Sequence, residues 1–243
     1  MKKLSFLLLI LISVTACSEK ENNLFVTGHV KGLKKGTIYL QKIEDTVLIN
    51  VDSVQVDGDA NFELGDYIKS PQIMYLYLEK VDNAEYIDRI EFFAEAGEVR
   101  INTTLKNFQV DAKVVGSANQ EKLMDYRKMM QRFNDKNLEL IQKNFEAQRD
   151  ENEELIIATN NDFDKLLIRK YLYTVNFAIN NKDLDIAPYL ALSEVFDANI
   201  KYLDTIYSSL TPEVKKNKYG KELKDFLKER RKLEKLEEKV ADQ

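Results

Sequence analysis

At Gly116-Ser117 the apolar residues change their period, and no other feature of the 243-residue chain constrains its fold as much. Before that point FVTGHV, TIYLQKI, VLINVDSVQV, NFEL, IMYLYL, RIEFFAEA, VRINTTL and KVV alternate apolar with polar residues. They are rich in Val, Ile, Tyr and Phe and are punctuated by Gly, Asp, Asn or Pro, which predicts about eight short strands. That spacing suits a small antiparallel β-sandwich or barrel. Turns are expected at Gly32 to Gly36, Asp57-Gly58 and Ala96-Gly97, because glycine tolerates the positive φ of hairpin turns. Pro71 fits the start of a strand, where its missing N–H costs least.

After Gly116 the period becomes helical. Ser117 and Gln120 form a capping-box signal, and Leu123, Tyr126, Met130 and Phe133 follow at helical spacing. Helices are expected near 118–150, 152–181, 188–209 and 219–240. Pro188 and Pro212 would mark helix starts, with Thr211 as N-cap of the second. The expected fold class is therefore α+β, with a sandwich domain at 24–116 and a helical domain at 117–243. A composition of 44% hydrophobic and 32% charged residues with only 3 prolines is that of a folded chain, not a disordered one.

The first residues concern address. Lys2 and Lys3 precede the apolar run Leu4 to Val14, which at 11 residues is too short for a membrane-spanning helix of about 20. It reads as a cleaved targeting segment, 1–16. Thr15-Ala16-Cys17 then resembles the lipobox of bacterial lipoproteins, in which the cysteine becomes lipidated and N-terminal. The resemblance implies three acyl chains on Cys17; at about 0.8 kcal/mol per buried methylene, release from the membrane would be negligible. Residues 17–23, with the polar run SEKENN, would form a tether. Ser18 is not the aspartate associated with inner-membrane retention, so the cell envelope, at the outer membrane, is the expected location.

Cleavage removes Lys2 and Lys3 and takes the formal net charge from −5 to −7. Nucleic acid is not an expected partner for so acidic a chain. With Cys17 lipidated, no thiol remains for a disulfide, redox catalysis or a cysteine-ligated metal. His29 lacks the company that a His-rich metal site or a Ser-His-Asp triad requires, and is expected to face solvent from a strand. No metal and no cofactor are therefore expected. Asp52-Ser53 pairs a carboxylate with a hydroxyl, but neighbours on a strand point to opposite faces, so a hydrogen-bonding role is expected for them. Tyr75, Tyr77, Phe92 and Phe93 could line a ligand cavity, although core packing accounts for them more simply. Met124, Met129 and Met130 are expected to fill core space.

In the last helix Phe226, Leu233, Leu236 and Val240 fall at heptad-like steps and mark a partner-binding face. The seam spans only about two heptads, and a solvated, charged helix end is the simpler reading.

Several short pieces together carry a wider resemblance. Gly28, Val30, Gly32, Leu33, Gly36, Tyr39, Leu40, Val51 to Ser53, Phe62, Gly65 and Pro71, with FFAEAGEVRI, VVGS and NKYGKEL further on, resemble an N-terminal domain of unknown function found in many Bacteroidota lipoproteins. There it usually precedes a thioredoxin-like, thiol-disulfide oxidoreductase domain. Here Ala60-Asn61-Phe62 stands where the family usually has Gly-x-Phe, and the sequence ends at Gln243, near where a CxxC domain would begin. The expectation is a non-enzymatic, lipid-anchored envelope protein that binds or scaffolds an envelope partner. Two alternatives stand beside it: an accessory to a separate thioredoxin-like partner, and a small-ligand-binding lipoprotein.

Overall fold

The computed structural model describes residues 21–80 and 88–241, with side chains as far as Leu236; Cys17 and the Val240 side chain lie outside the described part. The strands are β1 (Leu24–Lys31), β2 (Lys35–Glu44), β3 (Val47–Asp57), β4 (Asn61–Asp66), β5 (Gln72–Lys80), β6 (Asp88–Ala94), β7 (Gly97–Thr104) and β8 (Lys113–Val115). The helices are α1 (Ala118–Arg149), α2 (Glu153–Asn180), α3 (Ile186–Ser193), α4 (Ile200–Ser209) and α5 (Lys218–Ala241), with a 3-10 turn at Val214–Lys216. The fold class is α+β, as the change of period predicts.

Two four-stranded sheets, ordered β4-β1-β7-β8 and β3-β2-β5-β6, form the sandwich. Neighbours are antiparallel except β1 and β7, which run parallel from Leu24 opposite Gly97 to Lys31 opposite Thr104. The whole second sheet lies between these two strands in sequence, so no hairpin fixes their relative direction. Alternation sends Leu24, Val26 and Val30 of β1 and Val99 and Ile101 of β7 inward to meet Ile38, Leu40, Met74, Leu76 and Phe92. Gly28 continues the inward row of β1. A Cβ there would lie 1.8 Å from the Ile101 carbonyl oxygen and 2.8 Å from the Phe62 ring, so the close approach requires glycine. The β2–β3 hairpin turns tightly at Asp45 and Thr46 with φ of 46° and 77°, a turn without glycine that the expected turn positions pass over.

The first two helices match their expected limits closely. Ser117 caps α1, its Oγ accepting from Gln120 N at 3.0 Å. Gln120 does not close the box, however: its Oε1 accepts from Phe93 N of β6 instead. The helix expected at 188–209 is two helices, α3 and α4, separated where Asn199 turns its side chain to cap Lys201 N. Pro188 sits in the first turn of α3, where no N–H is needed. Thr211 Oγ1 accepts from Val214 N, but Pro212 leads only into the 3-10 turn, and α5 starts six residues after the proline.

Gly28→Ala should cost about 1–3 kcal/mol by overpacking, read as a lowered urea midpoint at unchanged m-value. An unchanged midpoint would mean that Ile101 and Phe62 yield without strain.

Candidate functional site: the sandwich–helix junction and the α1–α2 hairpin

Alternation gives β5 and β6 two apolar faces. Met74, Leu76 and Phe92 face into the sandwich, while Ile73 and Phe93 face out and join Leu123, Tyr126, Met130, Ile186, Leu190 and Tyr219 in a second buried cluster. Phe93 is wholly buried and meets Tyr189 and Tyr219 edge-on, with ring centroids 5.6 and 5.9 Å away. The fully buried polar groups of this cluster have partners. Ile73 N donates to the Tyr219 hydroxyl at 2.9 Å, Phe93 N to Gln120 Oε1 at 2.7 Å, and the Tyr126 hydroxyl lies 2.8 Å from Thr174 Oγ1. Burial pushes the Tyr189 hydroxyl up to about 12 and those of Tyr126 and Tyr219 higher still, so all three stay neutral.

Beside the cluster lies a polar junction. Asn119 N and Nδ2 donate to the two oxygens of Glu95, Asn119 Oδ1 accepts from Ile186 N, and Asn217 Nδ2 donates to Asp185 Oδ2. Four chain segments are thereby pinned together: the β6–β7 turn, the starts of α1 and α3, and the residue before α5. Asp185 is 3% exposed, and its Oδ1 has no hydrogen-bond partner among the described residues. Burial, with Glu95 and Glu213 nearby, raises its carboxyl to about 6, against the pull of the Asn217 hydrogen bond.

Where the end of the β2–β3 hairpin, the β4–β5 connection and the start of α5 converge, they enclose a cleft of about 320 Å³. Lys42, Lys69, Lys216, Lys218 and Lys221 line it.

The α1–α2 hairpin is the second surface of note. Asn144 Nδ2 donates to Thr159 Oγ1 and Asn160 Oδ1 across the pair, and Leu140, Ala147 and Thr159 are buried between the helices. Leu138, Ile141 and Phe145 instead form an exposed row at i, i+3 and i+7, with Phe145 68% exposed. On α2, Ile157, Leu167 and Ile168 are exposed too. Helical phase sets the row on α1 well away from the charged groove lined by Lys136, Lys143, Lys165 and Arg169 with Glu139 and Asp162.

The residues singled out in the sequence are distributed differently. His29 faces solvent on β1, with Nδ1 3.1 Å from Asn61 Oδ1. The Asp52 carboxylate accepts from Ser53 N and from Gly65 N, tying β3 to β4. Of the four aromatic residues only Phe92 lies in the sandwich core. Phe93 and Tyr75 belong to the junction, and Tyr77 stacks on Tyr39 at 5.8 Å on the outer face, because odd positions of β5 point outward. Met129 and Met130 fill core space as expected, but Met124 is half-exposed. In α5, Phe226 packs on the helical core with the Arg230 guanidinium 6.0 Å above its ring, whereas Leu233 and Leu236 are exposed. Among the described residues no cluster of three or more His, Cys, Asp or Glu could hold a metal ion, and no helix is long and apolar enough to cross a membrane.

Asp185 yields a pH prediction with a definite sign. Its folded-state pKa lies above the ordinary 3.8, so the native state keeps a proton that the unfolded chain releases, and stability falls as pH rises from about 4 to about 6. The loss approaches roughly 3 kcal/mol at neutral pH. Asp185→Asn should therefore stabilise the protein at pH above 7 and make little difference near pH 4, as read by urea unfolding across that range. A difference independent of pH would contradict the assignment.

Residues 25–123 match the model of a family described as a domain of unknown function (DUF4369). The match takes in the eight strands, all but Leu24 of β1, and the first turn of α1, including Ser117, Asn119, Gln120 and Leu123, which fasten that helix to the sandwich. No curated protein and no solved structure matches the chain.

Proposed function

We propose that the chain is a lipid-anchored protein of the bacterial cell envelope that binds and scaffolds a protein partner and has no catalytic activity of its own. The observation that carries this reading is the α1–α2 hairpin, where Leu138, Ile141 and Phe145 stand exposed in one row on a 32-residue helix about 48 Å long. Apolar side chains clustered on one face mark interaction surfaces more often than scattered ones do. Exposed Leu233 and Leu236 near the end of α5 add a second, smaller apolar surface.

The lipobox-like Thr15-Ala16-Cys17 supports the anchor, and Ser18 supports the outer membrane as its address. Acyl chains at Cys17 would confine the protein to a membrane plane and raise its effective concentration toward partners in that plane. The resemblance to Bacteroidota lipoproteins makes a separate thioredoxin-like protein the partner to look for, which would make this chain an accessory to thiol-disulfide exchange. A second reading, binding of a small ligand, is favoured by the lysine-lined cleft at the junction.

Two experiments test the proposal. Labelled palmitate should be incorporated by the wild type and not by Cys17→Ala; equal labelling would remove the anchor. In-cell crosslinking followed by mass spectrometry should recover a partner protein that is lost with the triple variant Leu138→Glu, Ile141→Glu, Phe145→Glu, whose folding is checked by circular dichroism. Recovery of this chain alone, or of the same partner with the variant, would contradict the scaffold.

A further inference from the structure

The cleft at the junction combines a cavity with an electrostatic pattern that the protein does not satisfy by itself. Of its five lysines, Lys42 pairs with Asp66 at 2.8 Å and Lys218 with Glu222 at 3.1 Å. Lys69, Lys216 and Lys221 make no ion pair among the described residues, and they come from three places, the β4–β5 connection, the 3-10 turn and the first turns of α5. Glu44 and Asp45, at the hairpin end of the same cleft, form no ion pair with any of these lysines. Such a gathering is unexpected on a chain of net charge −5, where a free lysine could face a carboxylate almost anywhere.

The helix itself sharpens the point. The start of a helix favours negative charge and disfavours positive charge. α5 has no acidic residue in its first turn, yet Lys216, Lys218 and Lys221 surround its start. Local electrostatics and sequence therefore disagree at the start of α5, and disagreements of that kind are typical of functional sites. An anion in the cleft would reverse the sign of the interaction for the lysines and the helix together.

The donors narrow the anion. The lining has lysines and no arginine, so it offers compact point charges of the kind that bind phosphoryl groups, and lacks the planar fork that holds a carboxylate or a phosphate at two points. The Ser70 oxygen accepts from Lys218 N at 3.2 Å, which leaves its O–H free to donate, and the Gln72 amide also lines the cleft. A volume of about 320 Å³ lies at the lower end of the range for small-molecule sites.

We propose that this cleft binds the phosphoryl group of a phosphorylated small molecule or lipid headgroup, with Lys69, Lys216 and Lys221 as the principal contacts. The site is independent of the anchor and of the α1–α2 hairpin, and it stands if either of those proves wrong.

Calorimetric titration of the full chain in detergent tests it, with pyrophosphate as the soluble probe and a short-chain phosphatidic acid as the lipid-borne one. Saturable binding of one equivalent is expected, weakening from low to physiological salt. Lys216→Ala with Lys221→Ala should weaken it by about tenfold or more. Lys136→Ala with Lys143→Ala, which removes the same charge from the hairpin groove, should leave it unchanged. Binding of phosphatidic acid alone would identify the source as a headgroup; binding of pyrophosphate would identify a soluble ligand. Failure of both probes to saturate, or equal losses in the two double variants, would overturn the proposal.

Discussion

Phe93 and Ile73 point away from the sandwich core, and their burial under α1, α3 and α5 is the constraint on which the other features depend. A sandwich closed on itself would leave these side chains in water; each gains about 2–3 kcal/mol on full burial. Covering them fixes where three helices begin. It also places Gln120 and Tyr219 opposite backbone N–H groups of β6 and β5, and draws Asp185 and Asn217 into the polar junction beside the cluster. The two periods of the sequence therefore describe two architectures that share one buried surface.

The two surfaces proposed to bind depend on that arrangement. Because α5 is held with its start against the β4–β5 connection, lysines from residues 42 to 221 meet in one cleft. Because only the first part of α1 is spent on the junction, its remaining turns pair with α2 and leave the row from Leu138 to Phe145 uncovered. An exposed apolar row and a lysine-lined cleft thus occupy different places on the body.

Much of the fold is legible in the sequence because it is written in local periodicity: the strand set, the limits of α1 and α2, and the Ser117 cap all depend on neighbours in the chain. What escapes is non-local. Nothing in β1 or β7 alone announces that they pair in parallel. Asn199 signals the break between α3 and α4, but the apolar spacing runs through it and masks the cap. Asp185 reads as an ordinary polar residue before a helix, and only the packing around it, with Asn217 distant in the chain bonded to its carboxylate, makes it a buried acid. In the heptad-like seam of α5 the spacing of Phe226 is visible in the chain, while its packing against the helical core is not.

Hydrogen exchange at increasing denaturant measures the shared surface most directly. Amides of β5 and β6 and amides of α1, α3 and α5 should lose protection in one transition with a common midpoint, as cooperative unfolding of a single body requires. Loss of protection in the helices at a distinctly lower denaturant concentration, with the strands still closed, would show two independently stable units and contradict the account.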